Sequence, residues 1–218
     1  MVSLIFIGAP GSGKGTQSSL LAKDLNIPNI STGEILRKEV VTETEIGIRA
    51  KKYMESGDLV PDEIIFGIIK KRLSENDCEL GFILDGFPRS LDQAVILEEM
   101  LAEIGKIIDL VINIESDKEV LVKRISGRFS CKKCAEVYNK FFNKTKKEGL
   151  CNKCGSSSFY SRSDDNEETV ENRLDVYEKN TAALLGLYRK KGLIYSVDGL
   201  QDIALVNSHI KKAVSKFF

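Results

Sequence analysis

The sequence predicts an α/β protein built on a parallel sheet, and three observations carry that prediction. The apolar run Leu4–Ile7 opens into a glycine-rich loop and then a helical pattern. Two further runs, Gly81–Leu84 and Ile107–Ile114, read as buried strands. Helical periodicity fills the intervals, giving the alternation expected of a parallel sheet flanked by helices.

The 218 residues suit one core domain with insertions, or two small domains. Apolar content of 42% and charged content of 29% are those of a globular chain, and no apolar run reaches the roughly 20 residues of a membrane span. Lys plus Arg equals Asp plus Glu at 32 each, so a global basic field for nucleic acid is missing. The N-terminus shows no basic leader, and the expected location is the cytoplasm. There the 5 cysteines favour metal binding over disulfides.

Taken in order, the loop Gly8-Ala9-Pro10-Gly11-Ser12-Gly13-Lys14-Gly15-Thr16 has the spacing of a polyphosphate cradle. Its glycines let backbone N–H groups turn inward, the following helix directs its positive end at the anion, and Lys14 adds a mobile cation. Ile27–Ile30 returns as a short strand, and Ser31-Thr32-Gly33-Glu34 has capping-box spacing at the start of a helix. A second short helix, Ile46 to Met54, stops at Ser56-Gly57-Asp58, so an insertion is expected from Ser31 to Val60. Pro61-Asp62-Glu63 opens a helix with Ile65, Ile68, Ile69 and Leu73 on one face.

The strand that follows ends in Asp85, with Gly86-Phe87-Pro88-Arg89 after it. Strands of a parallel sheet end on a common edge, so Asp85 is expected near the phosphate loop, where a carboxylate suits the waters of Mg²⁺. Ser90-Leu91-Asp92-Gln93 caps a helix running to about Ile104, and Ser116-Asp117-Lys118-Glu119 caps another after the most apolar strand. Arg124 falls on that helix's apolar face. From Gly127 the periodicity stops: Cys131-Lys132-Lys133-Cys134 and Cys151-Asn152-Lys153-Cys154 frame the 16 residues Ala135–Leu150. Two such knuckles match a tetrahedral Zn²⁺ site, a metal standing in for a core too small to form alone. A long helix is expected from Val170 to Tyr188 with Arg173 beside its stripe; Leu193–Val197 reads as the last strand, followed by a closing helix that holds the lone histidine, His209.

These motifs resemble the adenylate kinases of the long-lid bacterial type, most specifically in Asp85-Gly86-Phe87-Pro88-Arg89 with Gln93. The resemblance spans essentially the whole chain. It implies a five-stranded parallel core of the P-loop NTPase kind flanked by helices, an inserted helical monophosphate-binding region, and a small zinc-bearing lid. The corresponding boundaries are core 1–30, insertion 31–60, core 61–126, lid 127–164 and core 165–218. By matching positions, Thr32, Arg37, Asp58, Leu59, Val60, Gly86, Phe87, Pro88, Arg89 and Gln93 would hold AMP, with Gln93 on the adenine edge. Gly11, Ser12, Gly13, Lys14, Gly15, Thr16, Arg124, Arg128, Val137, Tyr138 and the backbone of Gln201 would hold ATP. A lysine is common in the family where Gln201 stands. Arg162 and Arg173 would bridge to the transferring group, catalysis resting on Lys14, Arg89, Arg124, Arg128, Arg162 and Arg173. Asp85 would hold water-bound Mg²⁺, and Cys131, Cys134, Cys151 and Cys154 a structural Zn²⁺.

The implied reaction is reversible transfer of the terminal phosphoryl of ATP to AMP, giving two ADP. Such transfer asks for alignment and positive charge more than for proton transfer, and guanidinium groups from separate elements suit it. The implied unit is a monomer without nucleic-acid or membrane partners. Uridylate and cytidylate kinases share the phosphate machinery and stand as the alternative. A zinc-ribbon nucleic-acid binder, suggested by Lys132, Lys133, Lys144, Lys146 and Lys147, is opposed by the neutral net charge; a signalling P-loop switch is opposed by the lack of an Asn-Lys-x-Asp motif.

Overall fold

A computed structural model describes residues 2–217, the side chain at position 167 excepted. Five strands form the central parallel sheet: β1 (Val2–Ile7), β2 (Asn29–Ser31), β3 (Gly81–Asp85), β4 (Leu110–Glu115) and β8 (Ile194–Asp198), in the order β2-β3-β1-β4-β8. The chain runs from β1 to one side of the sheet and from β3 back across it. The carboxyl ends of β1 and β3 therefore open where the direction of winding changes. Residue pairs Phe6↔Asp85 and Ser31↔Asp85 place that carboxylate level with the phosphate loop.

Alternation along the strands divides the core in two. Ile5, Ile7, Phe82, Leu84 and Val111 face a cluster completed by α2 (Thr32–Val41), α4 (Asp62–Leu73), α5 (Leu91–Glu103) and α8 (Ala182–Lys190). Leu4, Phe6, Ile83, Ile112 and Ile114 face α1 (Lys14–Leu25) and α9 (Ile203–Val214). A third, smaller cluster joins α6 (Lys118–Ser126) to α7 (Glu167–Val176) through Leu121, Ile125, Val170 and Leu174.

Several expectations shift. The strand expected from Ile107 begins at Leu110, because Asp109 turns its carboxylate to accept the Ser3 N–H at 2.7 Å while Ile107 stays 73% exposed. The long helix is interrupted: a π turn over Tyr177–Thr181 separates α7 from α8, and the Thr181 hydroxyl donates to the Arg89 carbonyl at 2.9 Å. Ser90 caps α5 by accepting from the Gln93 N–H, as expected. Ser31 does not cap α2; it hydrogen-bonds the carboxylate of Asp85, its sheet neighbour. Neither Ser116 nor Asp117 caps α6 through its side chain. Thr44 provides a cap that the pattern left unread, accepting from Gly47 at the head of α3 (Glu45–Ser56).

Between α6 and α7 lies an antiparallel sheet of three short strands in the order β6-β5-β7: β5 (Arg128–Cys131), β6 (Val137–Asn139) and β7 (Phe159–Tyr160). Among the described residues no helix is long and apolar enough to cross a membrane.

Candidate active site

The loop after β1 is shaped by its glycines. Gly13 sits at φ 103°, and a Cβ on Gly11 would come within 2.8 Å of the Ile125 side chain. An alanine is strained at either position. Lys14 curls over the loop and donates to the carbonyls of Gly8 at 2.6 Å and Ala9 at 2.9 Å. Burial pushes its ammonium down to about 8; Asp85 opposes that shift, while Arg89, Arg173 and Arg128 add to it. Asp85 is buried, and its Oδ2 lies 3.4 Å from where a Gly15 Cβ would stand. Burial raises its carboxyl, with Lys14, Arg89 and the Ser31 hydrogen bond pulling the other way. The expected meeting of the two motifs is present.

A cleft opens beside this point. Thr32, Arg37, Asp58, Leu59, Val60, Gly86, Phe87, Arg89, Gln93 and Arg173 line it; Pro88 and Arg162 do not. Pro88 follows Phe87 through a cis peptide. The floor is fastened: the Gly86 carbonyl accepts from Thr32 Oγ1 at 3.0 Å and from Arg89 Nε at 2.8 Å. The Arg89 N–H donates to Gln93 Oε1 at 2.7 Å. On the far wall, Asn172 donates to Ser56 O and Asp58 Oδ1, and Thr169 to Glu55 O, tying the end of α3 to α7. Gly57 permits that approach, since a Cβ there would lie 2.8 Å from Arg173 Cγ.

Sequence reasoning missed Gly33, Leu36, Met54, Gly57, Ile65 and Asp164 as lining residues. The three apolar ones carry the same signal as core positions. Asp164 looked like part of a polar return, although its closeness to Arg162 was visible.

Charge is concentrated at the mouth. Arg37 pairs with Glu34 at 2.7 Å and lies 3.8 Å from Asp164; Arg173 pairs with Asp164 at 2.9 Å. Arg162 reaches Glu34, and Arg128 grips Asp165 through two donors. Burial works against ionisation of Asp164, yet Arg173, Arg37, Arg128 and Arg162 hold it below the usual carboxylate range. Burial lowers Arg173 to about 10 despite Asp164, helped by Arg128 and Arg89. Three polar groups here, Ser12 Oγ, Arg37 Nε and Arg162 Nε, are buried with no partner among the described residues. An acceptor-rich anion is what such groups fit.

Arg124 stands outside this cluster. Its guanidinium donates to Gly199 O at 2.8 Å and Ser12 O at 3.4 Å, and stacks over Phe142, on the side of the loop toward Gln201. Tyr138 is placed by the small sheet. Its ring is buried in the small sheet, stacked on Phe129 with its hydroxyl 3.3 Å from Cys151 Sγ, so only its backbone is free to face a nucleotide.

The four knuckle sulfurs lie within 4.8 Å of one another, with Cys131–Cys154 at 3.6 Å and Cys134–Cys151 at 3.5 Å. Tetrahedral thiolates around Zn²⁺ stand about 3.8 Å apart, given bonds of about 2.3 Å, whereas a disulfide needs about 2.05 Å. The donor set therefore fits the metal. Against the burial that opposes it, the Tyr138 hydroxyl and the N–H groups of Cys154 and Lys153 hold the Cys151 thiol down at about 6.

Comparison with known proteins gives one answer. The family model described as adenylate kinase matches residues 6–193. The chain is 49% identical over 214 residues to the adenylate kinase of Limosilactobacillus reuteri, covering 98% of this chain and 99% of that one. It is 50% identical over 215 residues to that of Archaeoglobus fulgidus, covering 99% of each, and 50% identical over 210 residues to that of Bacillus subtilis, covering 96% of each.

Proposed function

The chain belongs to the adenylate kinase family, and from that premise we infer how its cleft moves the terminal phosphoryl of ATP to AMP. The observation that carries the reading is the set of arginines from separate elements meeting beside a phosphate loop, with buried donors that lack acceptors. Phosphoryl transfer spreads negative charge over the equatorial oxygens, and fixed cations meet that charge without reorganising.

Gly11 to Thr16 and Lys14 take the ATP phosphates, Lys14 leaving the Gly8 and Ala9 carbonyls to do so. Arg124, the backbone at Val137 and Tyr138, and Gln201 border the ATP base. AMP occupies this cleft, its phosphate on Arg37 and Arg89 and its adenine edge on Gln93. Arg128, Arg162 and Arg173 exchange carboxylate partners for phosphate oxygens, Arg124 completing the positive lining. Magnesium brought with ATP shares the phosphate charge, and Asp85 is the carboxylate suited to its waters.

Residues 31–60 form the monophosphate-binding insertion and 127–164 a lid, with core segments 1–30, 61–126 and 165–218 between and around them. Closure of both over the substrates excludes water, the competing acceptor. The four cysteines hold a structural zinc that keeps the lid rigid. The working unit is a cytoplasmic monomer acting on small nucleotides, with no nucleic-acid or membrane partner.

The test is a coupled assay for ADP from ATP with AMP, GMP, CMP or UMP as acceptor. Preference for AMP by two orders of magnitude or more is expected; equal or better use of UMP or CMP would move the chain to the alternative monophosphate kinases.

A further inference from the structure

Gln93 is 2% exposed, lines the cleft, and has both ends of its amide engaged. Its Oε1 accepts from the Arg89 N–H at 2.7 Å, and its Nε2 donates to Asp62 Oδ1 at 2.6 Å. The two partners are chemically one-sided. A backbone N–H only donates, and an ionised carboxylate only accepts. The amide can therefore satisfy both in one orientation alone; turning it over sets N–H against N–H and oxygen against carboxylate.

A primary amide has two lone pairs and two N–H groups. One of each is taken, leaving one acceptor and one donor on the amide. An adenine edge presents a 6-amino donor next to a ring-nitrogen acceptor, and matches that remainder. A 6-keto purine presents an acceptor in place of the amino group and meets the amide oxygen with its own oxygen. We propose that Asp62, which takes no part in holding the nucleotide, is the positioning residue that fixes the Gln93 amide for adenine and against 6-keto purines. The inference rests on the reading of Gln93 as the contact to the acceptor base.

Asp62 suits this task through its place in the chain. It is the first residue of α4, directly after Pro61, and its exposed side chain is aimed across to α5 at its first turn. The bland role for such a contact is to pin two helix ends together. That role affects every acceptor equally, whereas a locked amide affects the choice between acceptors.

The experiment measures kcat/KM for AMP and for IMP, with ATP as donor, in the wild type and in Asp62→Asn and Asp62→Ala. An asparagine can face either end of an amide, and an alanine faces neither, so each substitution removes one of the two locks while the Arg89 N–H keeps the other. The expected result is a fall of at least tenfold in the AMP:IMP ratio in both variants, through better use of IMP as well as poorer use of AMP. Parallel loss with both acceptors, at an unchanged ratio, overturns the proposal and leaves Asp62 a fastening between helices. A wild type that does not prefer AMP overturns the reading of Gln93 itself, and is seen before any variant is made. Thermal melting of each variant separates loss of fold from loss of choice, and Asp62→Ala, lacking any polar group, rules out a new contact made by asparagine.

Discussion

At the scale of single residues, Lys14 shows how the phosphate loop holds its own cation. Its ammonium is held at about 8 by burial and by neighbouring guanidinium groups, against the pull of Asp85. The ordinary lysine value is 10.5, so between about 8 and 10.5 the folded chain binds fewer protons here than the unfolded chain. This group therefore adds stability as pH rises through that window and withdraws it as pH falls through the folded value. Phosphates arriving at the loop favour the charged form. ATP binding near pH 8 is then expected to take up about half a proton, read by calorimetry in buffers of different ionisation enthalpy. Lys14→Met should abolish that uptake and lower transfer on the order of 10³-fold, in line with the worth of one well-placed cation in such sites. Uptake persisting in the variant would assign the titration elsewhere.

At the scale of elements, the two knuckles are built alike. Ala135 N donates to Cys131 O and Gly155 N to Cys151 O, each at 2.9 Å, and each residue after the second cysteine is left-handed, Ala135 at φ 58° and Gly155 at φ 71°. The sequence places a glycine at only one of the two equivalent positions. A left-handed alanine costs about 1–2 kcal/mol, less what glycine loses in chain entropy, roughly 0.5–1 kcal/mol. Nothing lies within 4 Å of a Cβ at Gly155, so the backbone alone decides the effect of substitution there. Gly155→Ala is expected to destabilise the lid by about 1 kcal/mol and Ala135→Gly to stabilise it by a similar or smaller amount. The check is the rate of zinc release to a chelator beside the melting curve, with the two variants moving in opposite directions. This level was largely legible in the sequence, because cysteine spacing, the loop glycines and the Asp85–Arg89 run encode local geometry within a few residues. The π turn at Tyr177–Thr181, the inward ring of Tyr138 and the failed Ser31 cap were not, since each is decided by a distant partner: Arg89, Cys151 and Asp85.

At the scale of the whole molecule, the same limit governs the cleft. The family resemblance proposes Arg37, Arg89 and Arg173 as phosphate ligands, but it does not point to the carboxylates that pair with the arginines. Glu34 is the clearest case, bridging Arg37 of α2 and Arg162, which lies 128 positions away in the sequence. Asp164 adds a second link, toward Arg37 and Arg173. A half-exposed pair of this kind is worth about 0.2–1 kcal/mol, small beside the folding free energy yet enough to shift a balance between open and closed arrangements by about 1.4- to fivefold. Nucleotide phosphates compete with Glu34 for the same guanidinium groups, so the contact matters most when they are absent. Glu34→Gln is therefore expected to enlarge the radius of gyration of the nucleotide-free chain, measured by small-angle scattering, and to leave it equal to the wild type under saturating ATP plus AMP. High salt should produce the same expansion in the wild type, because screening weakens the pairs that the substitution removes. A variant as compact as the wild type at low salt without nucleotide would show that packing between α3 and α7, rather than the carboxylate bridge, holds the insertion and lid together.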